Sequence, residues 1–256
     1  MRQNNPLVDN ARMSRPVPHP PRSVKWNRKP IHEPLPGGSP LNSASPALDA
    51  LSFKFAMWAG RVTAACLDVG CGAGVATRAA LARGARVVAV EPDLGMLHQL
   101  LTQLPVIQFG RICVKPARLD ELDFAAGELA AVHISRVLHR LDGDAIQQSL
   151  RDIWRWLQPE GKLFLSAFTP SGSYWKDFSA EFAGRAKRGD RWPGYIGDVS
   201  RYDRFSQAGT SCHLLSEAVL TRELGALGFE IEDSLNYSLA WDGTQTCCGV
   251  VARRPH

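Results

Sequence analysis

Three glycines at alternate positions follow a short apolar run in Cys66-Leu67-Asp68-Val69-Gly70-Cys71-Gly72-Ala73-Gly74, and a helix-forming stretch, Val75 to Ala82, comes next. A turn without Cβ atoms lets a ligand lie against the backbone, with the following helix N-terminus facing its negative group. Glu91 closes a second apolar run, Val87 to Val90. It stands about 20 residues beyond the glycines, where an acidic side chain meets a ribose diol. The dinucleotide pattern G-x-G-x-x-G is broken by Val75. The spacing is instead acid-x-Gly-x-Gly-x-Gly, a nucleoside cradle of a different kind.

Further along, His133, His139 and His213 are the histidines placed to serve as bases. His133 falls inside an apolar run and reads as structural. His139 lies at the sheet's functional edge, where it has either a substrate role or a turn-capping one, and His213 follows the inserted cap with the same choice between a substrate role and a structural one. Arg136 carries a guanidinium that suits a carboxylate on an incoming molecule, and a solvated or loop-paired arginine is the alternative. Tyr174, Trp175, Trp192 and Tyr195 gather in one Gly-rich stretch, as walls of an apolar pocket or as a small core of their own.

These residues need a frame. Seven short apolar runs at 64–69, 86–90, 111–115, 130–134, 162–168, 229–235 and 247–252 alternate with helical patterns at 73–83, 93–103, 144–157 and 216–226. Such alternation predicts a Rossmann-like, doubly wound α/β fold: a mostly parallel seven-stranded sheet with helices on both faces. Residues 47–60 add a leading helix that ends on Gly60. Residues 169–215 break the rhythm and read as a small cap insertion. Ten of the 17 prolines lie at or before Pro46, so residues 1–46 read as an extended arm that is either loose or docked through Val24, Trp26 and Ile31. Met13 offers an alternative start.

Charge and cysteines narrow the class. The arm holds seven basic and two acidic residues, which accounts for the whole net charge of +5; the remaining 210 residues carry 23 of each sign. A broad nucleic-acid-reading face on the folded part is therefore not expected. No apolar run approaches the roughly 20 residues of a bilayer span. The six cysteines form neither a disulfide framework nor a metal-binding pair, which favours a cytoplasmic setting and no metal site.

Taken together, the chain resembles the class I S-adenosylmethionine-dependent methyltransferases, in particular bacterial small-molecule enzymes. LDVGCGAG is similar to their first motif and VVAVEPD to their second. ISRVLHRL resembles the segment after their fourth strand, LQPEGKLFLS the turn into their fifth, and GALGFEIED the approach to their sixth. The likeness is close over residues 62–168 and looser over 213–254. It implies S-adenosylmethionine as cofactor and S-adenosylhomocysteine as product. It also implies that Asp68, Gly70, Cys71, Gly72 and Gly74 surround the methionine part, with Asp68 and Gly70 facing it. Glu91 would accept from the ribose hydroxyls, with Pro92, Asp93 and Leu119 near the adenine. Ser135 and Arg136 would floor the transfer site, with Arg136 and His139 as catalytic candidates.

Three positions depart from the family pattern. Arg118 stands where many relatives carry an acid for the adenine amine, Leu129-Ala130 where they have Phe-Asp, and Glu160 where they have glycine.

Methyl transfer from a sulfonium is an in-line displacement, so the protein mainly aligns the acceptor and excludes water. A carboxylate acceptor needs no base, which makes Arg136 and the apolar cap point to a carboxylic acid or fatty-acid-derived metabolite; a phenol or amine remains open. Neither an Asn/Asp-Pro-Pro-aromatic motif nor a Pro-Cys nucleophile is present, so nucleic acid is not the expected acceptor. A protein or peptide acceptor and a non-catalytic cofactor-binding scaffold stay open, as does the oligomeric state.

Overall fold

The computed structural model describes residues 48–203, 206–238 and 246–256. The expected N-terminal arm lies outside them.

Helix α1 (Ala50–Ala59) starts on Asp49, whose carboxylate accepts from Ser52 N at 2.8 Å, and stops at Gly60. Strand β1 (Ala65–Val69) then runs through the glycine turn into α2 (Val75–Leu81). The next units are β2 (Val87–Val90), α3 (Leu94–Thr102), β3 (Ile112–Lys115), β4 (Leu129–Ser135), α4 (Gly143–Trp156) and β5 (Leu157–Phe168). Side-chain caps begin three further helices: Asp93 for α3, Asp142 for α4, and Ser216 for α6 (Glu217–Ala226). Each satisfies an otherwise orphaned N–H of the first turn. Strands β8 (Glu230–Ser238) and β9 (Thr246–Arg253) close the fold.

One seven-stranded sheet has the order β3-β2-β1-β4-β5-β9-β8. The first five strands are parallel, and β9 pairs antiparallel with both β5 and β8. Each face carries its own core. Leu67, Val132, Ile134, Leu163 and Val250 pack against Ile146, Leu150, Ile153 and Trp156 of α4 and Leu220 and Leu224 of α6. On the other face Cys66, Val87, Ala131, Phe164 and Val251 pack against Leu51 and Phe55 of α1, Leu81 of α2 and Leu100 of α3. At about 25 cal/mol per Å² of apolar area removed from water, such two-sided burial is the main stabilising contribution.

The fifth strand departs from expectation. It begins at Leu157, directly after α4, instead of after a turn at 158–161. Leu129 pairs with Leu157 and Ala131 with Lys162, so residues 158–161 bulge out of the ladder. Glu160 sits in that bulge with φ 66° and is ion-paired with Arg253.

The insertion between β5 and α6 folds as α5 (Lys176–Lys187) and a two-stranded ladder of β6 (Tyr195–Ile196) and β7 (Cys212–His213). Phe168, Trp175, Phe178, Ile196, Val199, Cys212, Leu214 and Cys247 form its core. No helix among the described residues is long and apolar enough to cross a membrane.

Candidate functional site

The carboxyl ends of β1, β2, β4 and β5 face the same edge of the sheet, where ligands of doubly wound folds bind. Gly70, Gly72 and Gly74 turn there with φ of 65°, 53° and 80°. They are not equivalent. A Cβ on Gly70 would stand 2.4 Å from Val137 Cγ2, and one on Gly74 would stand 2.2 Å from Leu100 Cδ1. A Cβ on Gly72 would meet nothing within 4 Å. Two glycines are thus demanded by the protein's own packing, and the middle one borders open space.

Glu91 stands beside that space. Its Oε2 accepts from Gly72 N and its Oε1 from Asp93 N, each at 3.1 Å. Burial raises its pKa above the ordinary carboxylate range, opposed by these two N–H donors and by the guanidinium of Arg140. The carboxylate therefore ties the end of β2 to the glycine turn and keeps lone pairs for hydroxyl donors. Cys71 lies half-buried in the turn, its thiol pKa pushed up first by burial and then by the charges of Asp68 and Glu91.

Asp68 differs from the role that the resemblance implies. Its side chain does not face outward: the residue is 1% exposed, Oδ2 accepts from Thr77 Oγ1 at 2.5 Å, and Oδ1 bonds His133 Nδ1 at 2.7 Å. Both oxygens are engaged beneath the turn. Leu119 is likewise buried in the main core, so its side chain is taken up by packing. Beside it, Arg118 donates two 3.0 Å bonds to Asp120, an acid two residues beyond the position that the resemblance assigns to one. Pro92 is exposed at the end of β2.

At the end of β4, Ser135 and Ser166 are register partners with hydroxyls 3.0 Å apart. Arg136 follows with φ 58°, a left-handed conformation that costs a non-glycine residue about 1–2 kcal/mol. Its N–H bonds Ser166 O at 2.9 Å, which pins the strained residue at the strand end. His139 is 4% exposed, packs edge-on to Phe168, and buries both ring nitrogens, with the Arg136 backbone as its polar neighbour. Burial, followed by the charges of Arg140 and Arg136, lowers its pKa to about 3.

The expected cap residues divide. Trp175 is fully buried in the cap core, as the alternative reading of that stretch had it, and Tyr174 packs edge-on against it. Trp192 and Tyr195 instead line a cavity of about 370 Å³ between the cap and the α4 N-terminus, together with Asp142, Asp144 and Asp190. His213 lies between those two rings, fully buried, with Nδ1 on Leu141 O and its pKa lowered to about 4, chiefly by burial. Neither Trp175 nor His213 presents surface to a ligand.

Sequence reasoning passed over Thr77, Ser52, Ser166, Arg140 and Tyr237. The Tyr237 hydroxyl is buried beside Ser166, and its pKa is pushed up by burial and then by Asp49, opposed by that serine. Thr77, three residues into the helix after Gly74, was the one with a local signal.

Residues 67–165 match the model of a family described as a methyltransferase domain. A search of curated proteins found no match. Among solved structures, a methyltransferase from Mesorhizobium loti described as S-adenosylmethionine-dependent is 19% identical, with 82% of this chain and 99% of that one covered at a TM-score of 0.60. The 1,6-didemethyltoxoflavin-N1-methyltransferase of Burkholderia thailandensis is 21% identical, with 81% and 79% covered and a TM-score of 0.58. The [4+2]-cyclase SpnF is 18% identical, with 80% of each chain covered and a TM-score of 0.56. The matched stretch and these solved structures share one fold, the doubly wound sheet of S-adenosylmethionine-dependent methyltransferases.

Proposed function

We propose that this chain transfers the methyl group of S-adenosylmethionine to a small organic acceptor that is already nucleophilic at neutral pH, with a carboxylic acid as the leading class. The observation that carries the reading is the open space at Gly72 beside the Glu91 carboxylate, at the strand edge that also holds Arg136.

S-adenosylmethionine supplies an activated methyl group on sulfur. The residues present fit it: the missing Cβ of Gly72 leaves room, and Glu91 offers lone pairs to ribose hydroxyls. Gly70, Cys71 and Gly74 frame the turn, and Ser135 lies at the end of β4. Arg136 would orient an acceptor carboxylate, and the core of the cap would keep water away. His139, with a pKa near 3, stays neutral around pH 7 and is too weak a base to deprotonate a phenol or ammonium. Its ring nitrogens are buried, so it shapes the wall of the site and does not contact the acceptor. Among the described residues His139 and His213 are both held neutral by burial, which supports an acceptor that needs no base.

A second reading, an amine acceptor, is favoured by the cavity of Trp192, Tyr195 and three aspartates, since aromatic rings attract cations and the carboxylates outnumber the one lining cation, Arg185.

Calorimetric titration with S-adenosylmethionine and S-adenosylhomocysteine, with NAD as control, tests the donor. A panel of carboxylic acids, phenols and amines, scored by S-adenosylhomocysteine release, tests the acceptor. Turnover confined to amines would overturn the carboxylate reading, and loss of turnover in Arg136→Gln with carboxylic acids would support it.

A further inference from the structure

Beneath the glycine turn lies a buried polar chain that the proposed transfer does not use. It joins three elements: Ser52 Oγ of α1 stands 3.1 Å from His133 Nε2, and His133 Nδ1 of β4 stands 2.7 Å from Asp68 Oδ1 of β1. Thr77 of α2 completes it at Asp68 Oδ2. An ionised Asp68 only accepts, which places the imidazole proton on Nδ1 and leaves Nε2 to accept from the serine hydroxyl. The order acid, imidazole, hydroxyl matches a hydrolytic triad, but no substrate reaches it. Ser52 is 6% exposed, His133 is 2% exposed, and the Phe55 ring stacks on the imidazole at 4.7 Å with planes 16° apart.

What the chain can do is mechanical. Asp68 lies two residues before Gly70, and Thr77 lies three after Gly74, so one carboxylate spans the glycine turn and pins both ends of it. The register that sets Asp68 opposite His133 fixes which way that carboxylate points. Without His133, Oδ1 would be a buried charged acceptor lacking its partner, which is costly. Ser52 carries the same constraint out to α1, three residues beyond the helix's Asp49 cap.

We propose that His133 is a positioning residue for the cofactor turn, holding Asp68 in its inward bridge and coupling the turn to helix α1 through Ser52. The inference rests on the cofactor reading above.

Three variants of the full chain separate this from a purely structural role. His133→Phe keeps a stacked ring and removes both hydrogen bonds. His133→Asn keeps a donor near the Nδ1 position and loses the reach to Ser52. Ser52→Ala removes only the outer link. Calorimetry with S-adenosylhomocysteine is read beside thermal unfolding. The expected order is a loss of tenfold or more in affinity for Phe and a smaller, similar loss of two- to fivefold for Asn and Ala. That order would not follow the order of melting temperatures. Equal affinity in Phe and wild type, or equal losses in Phe and Asn, would overturn the proposal while leaving the cofactor reading intact. If His133→Phe does not fold, the Asn and Ala variants decide: wild-type affinity in both overturns the coupling. Wild-type protein that binds no S-adenosylhomocysteine overturns both readings together.

Discussion

Gly70 and Val137 are in contact across the fold's functional edge: the space a Cβ on Gly70 would need is filled by Val137 Cγ2, 2.4 Å from that position. Leu100 plays the same part for Gly74. Gly70→Ala and Gly74→Ala should therefore cost about 1–3 kcal/mol each from overpacking, with strain at positive φ in addition. Gly72→Ala meets no neighbour and should cost only about 1 kcal/mol of backbone strain. Gly72→Arg should leave the sheet folded and abolish S-adenosylhomocysteine binding. Denaturant titration and calorimetry on the four variants check this; a folded Gly72→Arg that binds normally would sink the site assignment.

Glu91 has a raised pKa, so its carboxylate charges later than an ordinary one as pH rises. Affinity for S-adenosylhomocysteine should fall on acidification with a midpoint above the usual carboxylate range. Glu91→Ala should weaken binding by about 1.5–3 kcal/mol for each ribose hydrogen bond lost. Isothermal titration across pH reads both effects.

His139 and His213 are held neutral by burial, with pKa near 3 and near 4. In the unfolded chain both bind protons below about pH 6.5. Below that pH the unfolded state therefore takes up protons that the folded state refuses, and stability falls as pH drops toward 4. The slope should approach about 1.4 kcal/mol per pH unit for each histidine. Urea titrations of wild type, His139→Leu and His213→Leu should show the slope reduced by one proton per substitution. Turnover with a carboxylate acceptor should show no inflection from His139 between pH 6 and 8.

Glu160 occupies a left-handed position with φ 66°. Glycine there would relieve about 1 kcal/mol of strain, and its half-exposed ion pair with Arg253 is worth about 0–1 kcal/mol. Glu160→Gly should therefore be neutral or slightly stabilising in thermal melts. A loss above about 2 kcal/mol would show that the bulge depends on the ion pair.

The alternation of apolar runs and amphipathic stretches made the sheet, its helices and the glycine turn legible in the sequence, because those signals are local. The inward direction of Asp68 was not. It depends on the register that sets β1 against β4, bringing together residues 65 positions apart, and on Ser52, which is 81 positions from His133. Trp175 and Trp192 illustrate the same limit. Nothing in their neighbours distinguishes a ring that fills the cap from one that walls a cavity. Glu160 was read as a departure from a glycine, yet the bulge it occupies became visible only through the pairing of β4 with β5.

Strand β9 comes after β8 in the chain but lies between β5 and β8 in the sheet. During synthesis, the five parallel strands can assemble as soon as β5 leaves the ribosome. β8 then has no place to attach until residues 246–253 follow it. Meanwhile β5 presents an open hydrogen-bonding edge, the kind of surface that pairs with other chains. The interval between making β5 and making β9 is thus the period in which that edge stands open to another strand.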